Sequence, residues 1–158
     1  MEITETEALK RMEAYCSTAE HCRAEIVEKL QRMGVAHDAV EHIINRLIKE
    51  GYIDEERFCR AFIHDKYRFA KWGKYKIGRA LQQKEIPSSV YRIFLDEVDE
   101  GEYLATLRNL LAAKRKSIRA KSEYELNGKL IRFALGRGFE MKDIRCCINV
   151  SDENGYPE

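Results

Sequence analysis

Proline is almost missing from this sequence, with two residues in 158, and glycine is sparse at nine. That scarcity excludes the turn-dense chain of a β-sandwich and favours helices joined by short turns. No apolar run approaches the roughly 18 residues that a membrane span needs. The N-terminus, MEITETEAL, lacks the basic and then apolar order of a secretory signal, so a cytoplasmic protein is expected, without a membrane partner and monomeric. The five cysteines (Cys16, Cys22, Cys59, Cys146, Cys147) form no CxxC pair, and an odd number without a secretion signal argues against a disulfide framework. The four histidines form no HExxH. Cys16, His21 and Cys22 are close in sequence, but the favoured reading is half-buried helix residues, with no metal and no cofactor expected.

Catalytic motifs are missing as well. There is no GxxxxGK[ST], no GxGxxG and no GxSxG; Gly136-Arg137-Gly138 reads as a helix end and turn. The carboxylates Asp54, Glu55 and Glu56 stand at a helix start, where the helix dipole explains them. The chain is therefore not expected to be an enzyme.

What is present is charge, at 35% of residues, and it is segregated. The net charge is only +1, yet residues 57–84 carry nine basic side chains against one acidic, and residues 106–137 carry nine against two. Acidic stretches flank and separate these two blocks. Local fields follow such a distribution rather than the sum.

Apolar spacing predicts helices throughout. Thr4 and Glu7 have capping-box spacing ahead of Ala8, Leu9, Met12, Tyr15 and Cys16. Ser17 or Thr18 is expected to cap a second helix bearing Cys22, Ile26, Val27, Leu30 and Met33, ended by Gly34. His37 or Asp38 opens a third, with Val40, Ile43, Ile44, Leu47 and Ile48 inward and Gly51 as its stop. Asp54 caps a fourth helix through about Phe69, carrying Phe58, Ala61, Phe62 and Tyr67, and Trp72-Gly73 breaks it. Ile77 and Leu81 face inward on a fifth. Pro87 starts a sixth, with Val90, Ile93, Phe94 and Val98. Gly101 marks the next junction. Tyr103, Leu104, Leu107, Leu110 and Leu111 form a seventh helix, and a basic loop follows. Leu130, Ile131 and Phe133 precede the turn at Gly138-Phe139, and Ile144, Cys147 and Ile148 lie on the last helix. Residues 151–158 are expected to be a disordered tail.

The segments EIVEKLQRMGV (25–35), KIGRALQQKEI (76–86) and KLIRFALGRGF (129–139) align without gaps. A repeat of this kind indicates an all-α protein of three tandem three-helix repeats, at 1–53, 54–100 and 101–150, forming an elongated, curved array.

The strongest functional signal is a basic face. Lys66, Arg68, Lys71, Lys74, Lys76 and Arg79 alternate with Tyr67, Phe69, Trp72 and Tyr75, a pattern suited to phosphates and unpaired bases. The alternative is a solvated helix face. Phe69 and Trp72 are expected mostly in the core, and most of the cations outside. A secondary patch, Lys114, Arg115, Lys116, Arg119 and Lys121, either extends this face into a track or serves only solubility.

The stretches GYIDEERFCRAFI (51–63), WGKYKIGRALQQKEI (72–86) and KLIRFALGRGF (129–139) together resemble the RecX family of regulatory proteins, over roughly residues 6–149. The resemblance implies three three-helix units. It also implies a protein that binds the RecA recombinase, lodges in the groove of its filament on single-stranded DNA, and restrains ATPase activity and strand exchange in recombination and DNA repair. Some members of that family bind DNA directly. Ala134 departs from the pattern, which has a larger aliphatic residue there, so the third core is expected to pack differently. Two other classes stay open: a helical-repeat protein that binds single- or double-stranded nucleic acid alone, and an adaptor with no nucleic acid.

Overall fold

The computed structural model of the chain describes residues 3–148, and the expected tail at 151–158 lies outside them. Nine helices and no strand occur among the described residues: α1 Glu5–Thr18, α2 Arg23–Arg32, α3 His37–Lys49, α4 Glu55–Arg68, α5 Lys74–Gln83, α6 Ser88–Asp96, α7 Glu100–Arg115, α8 Glu123–Gly136 and α9 Met141–Cys147. The fold is an all-α repeat fold. No helix among these residues is long and apolar enough to cross a membrane.

Local chemistry sets most of the boundaries. Thr4 accepts the Glu7 N–H at 3.2 Å, Asp54 that of Arg57 at 3.0 Å, Asp99 that of Glu102 at 2.9 Å and Ser122 that of Glu125 at 3.1 Å. Each satisfies a donor that a helix start leaves unpaired. Gly34, Gly51 and Gly138 take positive φ just past helix ends, where a side chain would be strained. Two boundaries differ from expectation. Ser17 and Thr18 do not start α2; they fold their hydroxyls back onto the Glu13 and Tyr15 carbonyls in the last turn of α1. Cys22 precedes α2 instead, its N–H held by the Glu25 carboxylate at 3.1 Å. Gly101 is not a junction but lies in the first turn of α7, because Asp99 already supplies the cap.

The chain divides into two compact units. The first comprises the chain up to Phe62 together with Leu81–Tyr91. Its core gathers Ala8 and Met12 of α1, Ile26 and Leu30 of α2, and Val40, Ile43, Ile44 and Leu47 of α3, closed by Ile53. Ile48 was expected to join them and is 45% exposed. It stands about 80° around α3 from Val40, at the edge of the apolar stripe. Ala61 of α4 is likewise exposed, and Cys59 is buried in its place. His21 is half-buried but lies in the turn between α1 and α2 and not on a helix, its ring stacked on Tyr15 with centroids 4.0 Å apart, and Cys22 beside it is fully buried.

The second unit comprises Ile63–Ala80 and the chain from Arg92 onward. Its core is built on Tyr103, Leu107 and Leu111 of α7, Leu130, Ile131 and Ala134 of α8, and Ile144 of α9. An aromatic line joins Tyr67 to Tyr103 and Tyr103 to Phe139, with centroids 5.9 and 5.3 Å apart. Ile93, expected inward, is 60% exposed, because Phe94 and Leu95 take the buried side of α6. Ala134 is fully buried while Leu135 stays exposed, so the neighbouring leucine does not fill the small residue's place.

Candidate functional site

The basic face of residues 66–79 lies in the second unit and is organised by the break between α4 and α5. After Arg68 the chain leaves the helix through Phe69, Ala70 and Lys71, and Lys71 takes φ 58°. The Trp72 N–H then returns to the Lys66 carbonyl at 3.0 Å. A non-glycine residue in the left-handed region carries a conformational cost that the surroundings must offset.

Those surroundings are the turn after α8. The Gly73 N–H donates to the Arg137 carbonyl at 2.7 Å, and the Tyr75 N–H donates to the Gly138 carbonyl at 3.1 Å. The Lys74 N–H donates to the Tyr103 hydroxyl at 2.9 Å. In return the Arg137 guanidinium donates to the Ala70 carbonyl at 2.9 Å. Three N–H groups at the start of α5 are thus satisfied from α7 and the α8–α9 turn. That helix N-terminus, an obvious place for an anion, is already occupied by protein oxygens. Burial pushes the Tyr103 phenol well above its ordinary pKa, outweighing the Lys74 N–H that pulls it down, so its hydroxyl stays protonated.

This scaffold sorts the six predicted cations. Lys66 and Lys76 both place their ammonium groups over the Trp72 ring, at 4.9 and 4.6 Å from its centroid. Lys74 lies over Tyr103 at 4.8 Å. Arg68 pairs with Glu102 at 3.2 Å. Lys71 and Arg79 are exposed and have no ion pair among the described residues. The face is therefore four cations engaged by the protein and two turned to solvent.

The aromatics divide in a way the sequence did not indicate. Trp72 is half-buried, held between lysine side chains and the turn. Phe69 is 75% exposed, which overturns its expected place in the core. The reason is the helix end: α4 stops at Arg68, so the 3.6-residue period that would have carried Phe69 inward no longer applies. Its ring meets the edge of His64, with centroids 6.4 Å apart. Tyr75 is 59% exposed one turn before Arg79 on the same side of α5. Two accessible rings thus accompany the two accessible cations.

The secondary patch is also in the second unit. Lys114 lies over Phe133 at 5.1 Å, and Arg115 pairs with Glu123 at 3.0 Å. The Arg119 carbonyl accepts the Lys129 ammonium at 2.9 Å, and the Lys121 N–H donates to Glu125 at 3.2 Å. The Lys121 N–H and the Lys129 side chain hold the Glu125 carboxyl below its usual range. Two carboxylates at the start of α8 thus offset part of this block, and Lys116 stays exposed. Arg137, which holds the Ala70 carbonyl, also lies over the Phe133 ring that Lys114 covers, at 5.5 Å. Arg137 and Tyr103 are the residues that sequence reasoning passed over. The RGF turn was visible as a motif, but its contact with residues 70–75 was not.

Comparison with known proteins gives a consistent result. Models of the RecX first, second and third three-helix domains match residues 8–47, 54–92 and 100–148. The regulatory protein RecX of Prosthecochloris aestuarii is 31% identical over 138 residues, covering 87% of this chain and 89% of that one. The protein of the same name from Chlorobium limicola is 30% identical over 131 residues, covering 82% and 79%. That from Geobacillus thermodenitrificans is 28% identical, and this chain spans 49% of its length. Among solved structures, RecX from Lactobacillus salivarius superposes with a TM-score of 0.80 at 20% identity, over 90% of this chain and 93% of that one. A further crystal structure of a regulatory protein RecX gives 0.83, also at 20% identity, over 90% and 70%. These two likenesses concern the fold.

Proposed function

The chain belongs to the RecX family, and on that premise we propose that it binds the RecA recombinase, chiefly as a filament on single-stranded DNA, and restrains its ATPase, strand exchange and filament growth. The observation that carries this reading is that the family match runs through all three helical domains rather than one. Three repeats, taken as 1–53, 54–100 and 101–150, let one chain touch successive protomers, and each further contact adds avidity without new chemistry. A chain that bridges protomers hinders the movements that growth and ATP turnover require, so no catalytic residue is needed. The protein acts in the cytoplasm, as a monomer, and Lys71 and Arg79 are its most available cations.

The deciding experiment is DNA-dependent ATP hydrolysis by RecA of the same organism, with this protein added across a salt series. The reading requires a dose-dependent fall in turnover. Unchanged turnover at saturating protein sinks it.

A second reading is direct binding of nucleic acid. It is favoured by Phe69 and Tyr75, which expose their rings beside those same two cations. Base–aromatic stacking and phosphate neutralisation need that combination. Equal affinity for bare single-stranded DNA and for the RecA–DNA filament would favour this reading over the first.

A further inference from the structure

The turn between α4 and α5 carries Phe69 and Lys71 into solvent, and one residue holds it from both sides. The Arg137 carbonyl accepts the Gly73 N–H at 2.7 Å, and the Arg137 guanidinium donates to the Ala70 carbonyl at 2.9 Å. These two bonds bracket Lys71, which takes φ 58°. The Lys71 side chain is exposed and makes no ion pair among the described residues, so the constraint on its backbone comes from the bonds around it. Arg137 itself is half-buried. Its guanidinium is engaged twice by protein, at the Ala70 carbonyl and over the Phe133 ring at 5.5 Å.

The two halves of this clamp differ in kind. Any residue at 137 supplies the carbonyl, but only a long side chain with a donor reaches Ala70. A planar guanidinium does so while its face lies on an aromatic ring, which the compact ammonium of a lysine does not reproduce. Left-handed backbone at a non-glycine residue is costly and persists only where its surroundings impose it. Without the side-chain bond the Ala70 carbonyl turns to water, and the turn gains conformations in which Phe69 and Lys71 no longer project as they do here. Pre-organisation lowers the ordering cost of binding, so a loosened turn binds more weakly with every contact residue still present.

We propose that Arg137 is a positioning residue for the partner-binding face, acting through the turn it holds: it fixes the shape in which Phe69 and Lys71 meet the RecA–DNA filament. This role rests on the reading that the filament is the partner. It differs from that of Lys71 and Arg79, whose charges face the partner directly, and from that of Gly73, whose missing side chain makes room for the turn after α8.

The test takes the full chain, its Arg137→Ala and Arg137→Lys variants, and RecA of the same organism on single-stranded DNA. Amide hydrogen exchange followed by NMR should quicken at least about fivefold at Trp72 and Gly73 in Arg137→Ala, and stay native at Leu107 in the core. Affinity for the filament should fall at least about fivefold in Arg137→Ala, but less than about twofold when the same change is made in a chain already carrying Phe69→Ala and Lys71→Ala, since residues that act as one unit do not add. Arg137→Lys should fall between the native chain and Arg137→Ala on both readouts, and it carries the comparison if Arg137→Ala loses helicity. Native exchange at Trp72 and Gly73, native affinity in Arg137→Ala, or an undiminished loss in the Phe69/Lys71 background, which marks Arg137 as a direct contact, overturns the proposal. A native chain that does not bind the filament overturns the RecA reading and this role with it, and the native arm tells that failure from the others.

Discussion

Gly73 and Gly138 touch backbone to backbone. A Cβ built on Gly73 would lie 2.3 Å from the Gly138 carbonyl carbon and oxygen, and one on Gly138 would lie 2.3 Å from the Lys76 Cβ. Gly73 is therefore glycine for lack of room and not for a turn, since only Gly138 of the two has positive φ. The contact joins two of the stretches on which the family resemblance rests, WGKYKIG and RGF.

Gly73→Ala should destabilise the protein by about 3 kcal/mol, because fixed backbone cannot yield as a flexible side chain can. Gly34→Ala is the control. Its added Cβ meets nothing within 4 Å, so only the cost of its φ of 79° remains, about 1 kcal/mol. Urea denaturation of both variants measures the difference. Equal losses would show that the Gly73–Gly138 approach is not the constraint.

Phe69→Ala should change stability by less than about 0.5 kcal/mol, as befits an exposed ring. Trp72→Ala should cost more, because it removes the ring that Lys66 and Lys76 share. If Phe69 instead proves the costlier loss in thermal unfolding, the exposure described for it is wrong.

Reversing Lys71 and Arg79 together to Glu should weaken binding to a RecA–DNA filament at least about tenfold at low salt, and less at high salt, where screening already weakens the native contact. Helicity by circular dichroism should stay unchanged. Reversing Lys66 and Lys76 should instead disturb the local fold, since those ammonium groups sit on Trp72. A double Lys71/Arg79 variant that binds like the native chain removes these two cations from the interface.

Trp72 is the only tryptophan in the chain. Its emission should therefore shift when a partner covers the basic face, and the titration should report the same affinity as the ATPase assay. An unchanged spectrum at saturation would place the partner elsewhere on the molecule.

The Glu25 carboxyl has a lowered pKa. Burial alone would raise it, but the Cys22 N–H and the Lys84 ammonium, at 3.0 Å, outweigh burial. A depressed carboxyl pKa stabilises the fold at pH values above the unfolded pKa, and that contribution fades as pH falls through the folded one. Glu25→Gln should thus cost about 1 kcal/mol at pH 7, with the cost vanishing in acid below both pKa values. Urea midpoints measured down the pH series check this. A cost that persists in acid would assign Glu25 a packing role instead.

Much of the fold was legible because helices announce themselves locally. The stop at Gly34 and the cap at Asp54 depend on residues within one turn, as do the stripes Ile26–Leu30 and Val40–Leu47. The misplacements at Ile48, Ala61 and Ile93 share one cause. Periodicity says that a residue is apolar and near the stripe, but the neighbouring helix decides how wide the covered stripe is.

The sequence by itself determined that the chain is helical, that it repeats, where most of its turns fall, though not the start of α2 or of α7, and that its cations come in two blocks. Each of those properties is carried by spacing along the chain. Only the tertiary structure decided which cations are spent on Trp72, Tyr103 and Glu102 and which two remain for a partner, and that Phe69 faces solvent. It also decided that Arg137 and Tyr103 build the start of α5. The contacts made by Tyr103, Glu102 and Arg137 join residues 29 to 67 positions apart within 2.9 to 4.8 Å, and no local pattern records such a meeting.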